Sequence, residues 1–207
     1  ALVHGSCFEV MRLLPDKSVD LILIDPPAGM YPTSHGGKQL WGWDVKWEAA
    51  EWDGLLQDVW RVLKAGARFV VFGCGGEGGF AEEVLGHVRR NPPLGGVDES
   101  QARWEHGELR SEQRSHKHFR ATEEILIFQR RSESMQQQKL GNQVGRERPV
   151  DMFHFRKGPK MRDGSGDMKP LNLMRALVRG YETSGTSNGA ETAASGKGVV
   201  VDFCMKE

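Results

Sequence analysis

The sequence predicts an α/β fold in which a doubly wound sheet carries helices on both faces. Three short apolar runs, at residues 19–24, 69–72 and 125–128, consist mainly of branched and aromatic residues. Such runs are typical of strands that are covered on both sides. A helical pattern and a turn separate the first two runs, and apolar strands that alternate with helices indicate a doubly wound sheet.

The first half of the chain supplies three predicted helices. After a short predicted strand at residues 2–4, a short helix follows that Ser6 would cap. Residues 47–64 place apolar side chains at helical spacing and are predicted to end at Gly66, the usual residue beyond a helix C-terminus. A further covering helix is predicted for residues 80–90.

The second half adds two predicted strands and one helix. Residues 104–119 are strongly charged, and several of the basic side chains could contact phosphates, but a solvated face or loop explains the pattern at least as well. A buried strand is predicted at residues 124–129, and a helix at 171–181, where Pro170 suits the helix start. The last predicted strand is 199–205.

The composition predicts one hydrophobic core and no membrane segment. The chain has 207 residues, of which 38% are hydrophobic, enough for a single sizeable core. No apolar run approaches the roughly 18 residues that span a bilayer, and the N-terminus lacks the pattern of a signal peptide. Cys7, Cys74 and Cys204 are widely separated, so neither a disulfide framework nor a metal site is expected. We expect an intracellular protein of the cytoplasm, nucleoid or nucleus.

Asp25 is the candidate functional residue, because it follows the first apolar run directly. In open α/β sheets, ligands bind at the carboxyl ends of the strands. Pro26 and Pro27 would stop the strand and leave their carbonyls without a partner strand. A group with two N–H donors fits a carboxylate beside free carbonyls. An ordinary strand-ending turn explains the same residues equally well.

The segment Asp-Pro-Pro-Ala at residues 25–28 resembles the catalytic loop of the S-adenosylmethionine-dependent amino-methyltransferases of nucleic acids. In that family Asp, Ser or Asn precedes Pro-Pro and an aromatic residue, and Ala28 stands where the aromatic belongs. Further segments agree in chain order, among them 5–11, 118–128, 169–177 and 199–203. The catalytic loop therefore precedes the cofactor segments, which is the permuted β-type order of the DNA enzymes. The resemblance implies a Rossmann-like methyltransferase sheet and S-adenosylmethionine as cofactor.

The resemblance also implies roles for individual residues. The catalytic positions would be Asp25, Pro26, Pro27 and Ala28. The cofactor-binding positions would be Ser6, Cys7, Asp25, Lys169, Pro170, Asp202, Phe203 and Cys204.

DNA binding would require a local basic surface, because 28 Lys and Arg balance 28 Asp and Glu in the whole chain. Residues 139–169 are predominantly basic and contain interleaved aromatics. The candidate phosphate contacts are Arg146, Arg148, Arg156, Lys157 and Lys160. A solvated charged loop remains the alternative. We therefore interpret residues 1–131 as the catalytic part of the domain and 132–168 as a linker with a target-recognition segment. Residues 169–207 would be the cofactor-side helix and strand that complete the same domain.

Two functional classes are compatible with these features. The first is an enzyme that methylates N6 of adenine in DNA, with N4 of cytosine less favoured because Asp precedes the prolines. The second is a catalytically silent domain that retains the fold and a nucleic-acid surface. Ala28 lacks the ring that would stack on a base, a contact worth about 1–3 kcal/mol. The sequence also ends at Glu207, before a glycine turn, so we expect impaired activity. A homodimer or a partner subunit is compatible with the sequence.

Overall fold

The structure is a computed structural model, and it describes residues 5–27, 45–73, 80–105, 122–131, 151–154, 169–181 and 198–203. The helices in these ranges are α1 (Cys7–Leu13), α2 (Ala49–Val62), α3 (Phe80–Arg90) and α4 (Leu171–Tyr181). The strands are β1 (Val19–Ile24), β2 (Leu63–Val71), β3 (Val97–Glu105), β4 (Thr122–Arg130), β5 (Asp151–His154) and β6 (Val200–Phe203).

The described strands form one mixed sheet in the order β5-β3-β4-β2-β1-β6. β1 is parallel to both of its neighbours, β2 and β6, whereas β4 is antiparallel to β2 and β3. Ile24 lies opposite Val71 on one side and Phe203 on the other. The carboxyl ends of β1, β2 and β6 therefore meet at one edge of the sheet. Because β4 runs in the opposite direction, its amino end lies at this edge too.

The core has two layers, one on each face of the sheet. Ile22 and Ile24 of β1 pack with α1, α2 and α3 on one face. Leu21 and Leu23 pack on the other face with α4 and with Trp104 of β3. Since alternate residues of a strand point to opposite faces, burial on both sides accounts for the continuous apolar run. The predicted doubly wound α/β fold is confirmed, as are the bounds of α3 and α4.

The boundary between α2 and β2 differs from the prediction. The helix ends at Val62 instead of residue 64, and Gly66 lies inside β2 with a φ of 81°. Leu63 is fully buried and extended, and it pairs with Val19 of β1. Burial of Leu63 in the sheet thus outweighs the helical pattern. Gly66 falls where the register with β1 shifts, an irregularity that its positive φ accommodates.

The interpretation of residues 104–119 as a solvated face or loop is wrong for residues 104 and 105. They belong to β3, where Trp104 and Ala102 are buried while the side chains of Gln101 and Arg103 are exposed. This alternation is typical of a strand with one covered face, and the polar residues hide it in the sequence. Ser6 does occupy the N-cap position of α1, but its side chain makes no capping hydrogen bond. Its carbonyl accepts hydrogen bonds from Glu9 and Val10 instead.

Several predictions concern residues outside the described ranges, including the strand at residues 2–4 and most of the segment 132–168. Within that segment the structure describes β5, which pairs with β3. The division of the chain at residues 131 and 168 stays a prediction. None of the helices in the described ranges is both long and apolar enough to cross a membrane.

Candidate active site

Asp25 lies at the edge of the sheet where the carboxyl ends of β1, β2 and β6 meet. Pairing between β1 and β2 continues up to the preceding residue, because the Phe72 amide donates to the Ile24 carbonyl at 2.8 Å. Pro26 and Pro27 are buried, whereas the Asp25 side chain is about half exposed. The sheet and the buried prolines therefore fix the backbone on both sides of a carboxylate that solvent can reach.

Lys169 places an ammonium group between two carboxylates at this edge. Its Nζ lies 3.3 Å from Oδ2 of Asp25 and 2.5 Å from Oε1 of Glu123. Lys169 stands two residues before α4, so this helix, which packs on the opposite face from α2, brings the ammonium to the site. Residues from β1, β4 and the start of α4 thus form one ionic cluster.

The surroundings of Lys169 keep it charged. Burial alone would lower the pKa of its ammonium, but the negative charges of Asp25 and Glu123 outweigh burial and raise the pKa above its ordinary value of 10.5. The ammonium also lies over the rings of Phe72 and Trp104, at 5.3 and 5.5 Å from their centroids. Those distances are within the reach of cation–π attraction. Lys169 is therefore cationic throughout the neutral pH range.

Glu123 connects the ionic cluster to the end of β2. Its Oε1 accepts a hydrogen bond from the Gly73 amide at 3.1 Å, in addition to the contact with Lys169. Gly73 has a φ of 72°, a conformation that favours glycine. A Cβ at this position would lie 3.4 Å from Oδ1 of Asp25. Glu123 and Gly73 were missed from the sequence as site residues, although Glu123 begins the Glu-Glu-Ile-Leu segment at residues 123–126, within the range 118–128 on which the family resemblance rests.

Asp202 contributes a third carboxylate from β6. It is opposite Leu23 in the register, one pair from the end of β1. Its pKa is raised, first because its carboxyl group is partly buried although the residue as a whole is exposed, and second because Asp25 repels it. The adjacent Phe203 is buried in the core. The structure therefore brings together Asp25, Lys169 and Asp202, three of the residues predicted from sequence.

Ser6 and Cys7 lie at the amino end of α1. Cys7 is buried in the same core layer as Ile24. Burial raises the pKa of its thiol to about 11, so the sulfur is an uncharged, unreactive packing group at neutral pH. The assignment of Ser6, Cys7, Pro170 and Phe203 to cofactor binding stays a prediction.

The remaining predicted site residues lie outside the described ranges. These are Ala28, Cys204, Arg146, Arg148, Arg156, Lys157 and Lys160. Among the residues that are described, no group of three or more His, Cys, Asp and Glu side chains could hold a metal ion.

The arrangement is suited to a ligand that carries N–H donors or positive charge. Asp25 offers a half-exposed carboxylate oxygen, and Asp202 adds a second carboxylate on the neighbouring strand. Lys169 is the cation of the cluster and is held by Asp25 and Glu123. Hydrogen bonds that involve charged groups are stronger than neutral ones, so such an edge can orient an amino group.

No family model matches the chain. Among solved structures, the chain is similar to a putative DNA modification methylase from Thermus thermophilus complexed with S-adenosyl-L-methionine, at 18% identity and a TM-score of 0.49, over 86% of this chain and 72% of that one. It is also similar to the M1.HpyAVI–SAM complex, at 15% identity and a TM-score of 0.49, over 85% and 72%. It is similar as well to the PvuII DNA methyltransferase, described as cytosine-N4-specific. The identity is 14% and the TM-score 0.45, over 90% of this chain and 64% of that one.

Proposed function

We propose that this chain is an S-adenosylmethionine-dependent amino-methyltransferase that acts on N6 of adenine in DNA. The observation that carries the proposal is the position of Asp25. It follows a strand buried on both faces, precedes two buried prolines, and lies at the edge of the sheet beside Asp202 and Lys169. This is the edge at which open α/β sheets bind their ligands.

The chemistry of the reaction needs the groups that this loop offers. An exocyclic amino group shares its lone pair with the base ring and is therefore a poor nucleophile. Asp25 would accept one N–H of that group and the Pro26 carbonyl would accept the other. Two acceptors localise the lone pair on nitrogen and orient it towards the methyl donor. The base must leave the duplex to reach these acceptors.

The residues at the edge also suit the proposed cofactor. S-adenosylmethionine, when bound, supplies an electrophilic methyl group on a positively charged sulfur. The carboxylate of Asp202 suits the ammonium or the ribose hydroxyls of such a molecule, and Lys169 suits its carboxylate. Burial and the charge of Asp25 raise the pKa of Asp202, so a positively charged ligand beside Asp202 would stabilise its ionised form.

Adenine is favoured over cytosine because Asp, and not Ser, precedes the two prolines in this chain. N4 of cytosine remains the alternative substrate for the same chemistry. A silent nucleic-acid-binding domain is the alternative from a different class, and the observation that favours it is Ala28, which cannot stack on a base.

The experiment measures transfer of a labelled methyl group from S-adenosylmethionine to DNA duplexes of random sequence. The full chain and an Ala28→Tyr variant are compared, each with and without Asp25→Asn. Mass spectrometry of the digested nucleosides distinguishes N6-methyladenine from N4-methylcytosine. Asp16→Asn, which removes an exposed carboxylate near Arg61, is the matched control. Transfer that survives Asp25→Asn undiminished would contradict the assignment of Asp25. If the full chain and the Ala28→Tyr variant both bind DNA but neither transfers a methyl group, the silent domain is favoured.

A further inference from the structure

We propose that Glu123 is a positioning residue for Asp25, and that it acts by holding the ammonium of Lys169. The proposal rests on the methyl-transfer function proposed above and extends it to a residue on the nearby antiparallel strand β4. Glu123 itself would touch neither base nor cofactor.

The strand order explains why Glu123 reaches the site. β4 is antiparallel to β2, so the first residues of β4 lie beside the last residues of β2. One oxygen of Glu123 accepts hydrogen bonds from the Gly73 amide and from Lys169, at 3.1 and 2.5 Å. The backbone that follows β2 therefore fixes Glu123, and Glu123 in turn fixes the lysine.

The position of the ammonium determines what Asp25 can do. Nζ of Lys169 contacts Oε1 of Glu123 and lies 3.3 Å from Oδ2 of Asp25. The distance to Asp25 is just beyond the usual length of about 2.7–3.2 Å for a hydrogen bond between N and O, so the ammonium can approach Asp25 more closely. Loss of the charge on Glu123 would let the ammonium move onto Asp25. A carboxylate that binds an ammonium closely is a weaker acceptor for the amino group of a base.

Among the described residues, the carboxylates in contact with Lys169 are Glu123 and Asp25, so loss of the charge on Glu123 leaves Asp25 as its carboxylate partner. The rings of Phe72 and Trp104 face the ammonium, and these attract a cation more weakly than a carboxylate does. The charged groups near it in the described part of the chain are Asp25, Glu123 and, beyond Asp25, Asp202.

Glu124 provides a matched control in the same strand. It points to the other face of β4 and contacts Arg103 at the surface, at 3.4 Å. Glu123→Gln and Glu124→Gln therefore each remove one negative charge, at adjacent positions. Only Glu123→Gln removes a negative charge that contacts Lys169.

The first measurement is an NMR titration of Lys169 in the full chain, followed through its Cε and Nζ signals and assigned with Lys169→Arg. The midpoint should fall in Glu123→Gln, because a charge that raises the pKa of Lys169 is gone, and should be unchanged in Glu124→Gln. The pH dependence of the carboxyl-carbon signal of Asp25 should change in Glu123→Gln and stay the same in Glu124→Gln. Equal Lys169 midpoints in the unaltered chain and Glu123→Gln would overturn the proposal.

The second measurement is the steady-state rate of methyl transfer by the same proteins, all carrying Ala28→Tyr. Glu123→Gln should lower kcat by roughly 10- to 100-fold, the range for a reacting group misplaced by about 1 Å, with little change in KM for DNA. An equal kcat in Glu123→Gln and Glu124→Gln overturns the proposal. Absence of transfer in every protein rejects the proposed function instead, and the titrations of Lys169 and Asp25 then decide the positioning role alone.

Discussion

Replacement of Lys169 by Met should destabilise the protein more than the loss of any surface ion pair. The change keeps most of the side-chain volume but removes the ammonium from between Asp25 and Glu123. Removal of one partner from a buried ion pair costs about 3–5 kcal/mol, because a charge is left in a poorly solvated place. Asp25 is half exposed and is relieved by water, so we expect the low end of that range, about 3 kcal/mol. For a domain of this size the melting temperature should fall by about 6–12 °C.

The unfolding free energy lost in Lys169→Met should depend on pH in a defined direction. In the unaltered chain, the pKa of Lys169 lies above its ordinary value of 10.5, so its stabilisation is fully present below pH 10.5 and is lost only at still higher pH. In Lys169→Met, acid relieves the repulsion between carboxylates, which ordinarily titrate near about pH 4. The difference in unfolding free energy between the two proteins should therefore be constant around neutral pH and shrink below about pH 5.

Urea unfolding at a series of pH values, followed by circular dichroism, measures this difference. The control is Lys64→Met, which removes the ion pair between Lys64 and Asp20 at 2.7 Å. Lys64 is nearly half exposed, and pairs of that kind are worth about 0–1 kcal/mol. Equal losses in the two variants at neutral pH, or a Lys169→Met deficit that does not shrink in acid, would refute the electrostatic reasoning.

Other changes test separate parts of the structure and of the proposal. Gly73→Ala should lower the unfolding free energy by about 1–2 kcal/mol in urea titrations, because its φ of 72° is strained for alanine; an unchanged midpoint would contradict this. Arg61→Met should cost about 2 kcal/mol in the same assay, since Arg61 donates to two carbonyls at the end of α1 as well as to carboxylates; a loss under about 0.5 kcal/mol would show that these bonds contribute little. Ala28→Tyr should raise methyl transfer by roughly one to two powers of ten, and a rate at or below that of the unaltered chain would speak against base stacking. DNA affinity should fall less steeply with salt, as measured by fluorescence anisotropy, after substitution by Gln at Arg156, Lys157 and Lys160. An identical salt slope would rule out phosphate contacts by these residues.

The parts of the fold that were predicted correctly are those that a local pattern encodes. β1 is an apolar run because both of its faces are buried, α3 and α4 each show an apolar stripe, and Pro170 precedes the start of α4. The position of Asp25 follows from the same run, since the residue after a buried strand must lie at the edge of the sheet. The family resemblance added Lys169, which the structure places in contact with Asp25, and Asp202, which lies on the strand next to β1.

The parts that were missed depend on which segments become neighbours. Leu63 continues a helical pattern in the sequence, but its pairing with Val19 places it in β2. Glu123 lies 50 residues from Gly73 and 46 from Lys169, so no spacing rule connects them. Their contact requires that β4 lie beside β2 and run antiparallel to it. Strand order is a property of the whole sheet, and a local pattern contains little information about it.

The strand order also gives the site its electrostatic balance. Methyl transfer to an amino group places positive charge on the nitrogen before a proton leaves. A carboxylate at Asp25 stabilises that charge, and an ammonium next to Asp25 opposes it. Lys169, which stands two residues before α4, contacts both Asp25 and Glu123, so the site contains a cation that works against the proposed reaction. In the positioning role proposed for it, Glu123 contacts the same cation and reduces the opposition while the ionic cluster remains intact. In a site with Asp25 and Lys169 alone, the ion pair that stabilises the structure would also weaken Asp25 as an acceptor. The antiparallel strand β4 supplies a second carboxylate for Lys169, so that the ammonium can stabilise the site without binding Asp25 closely.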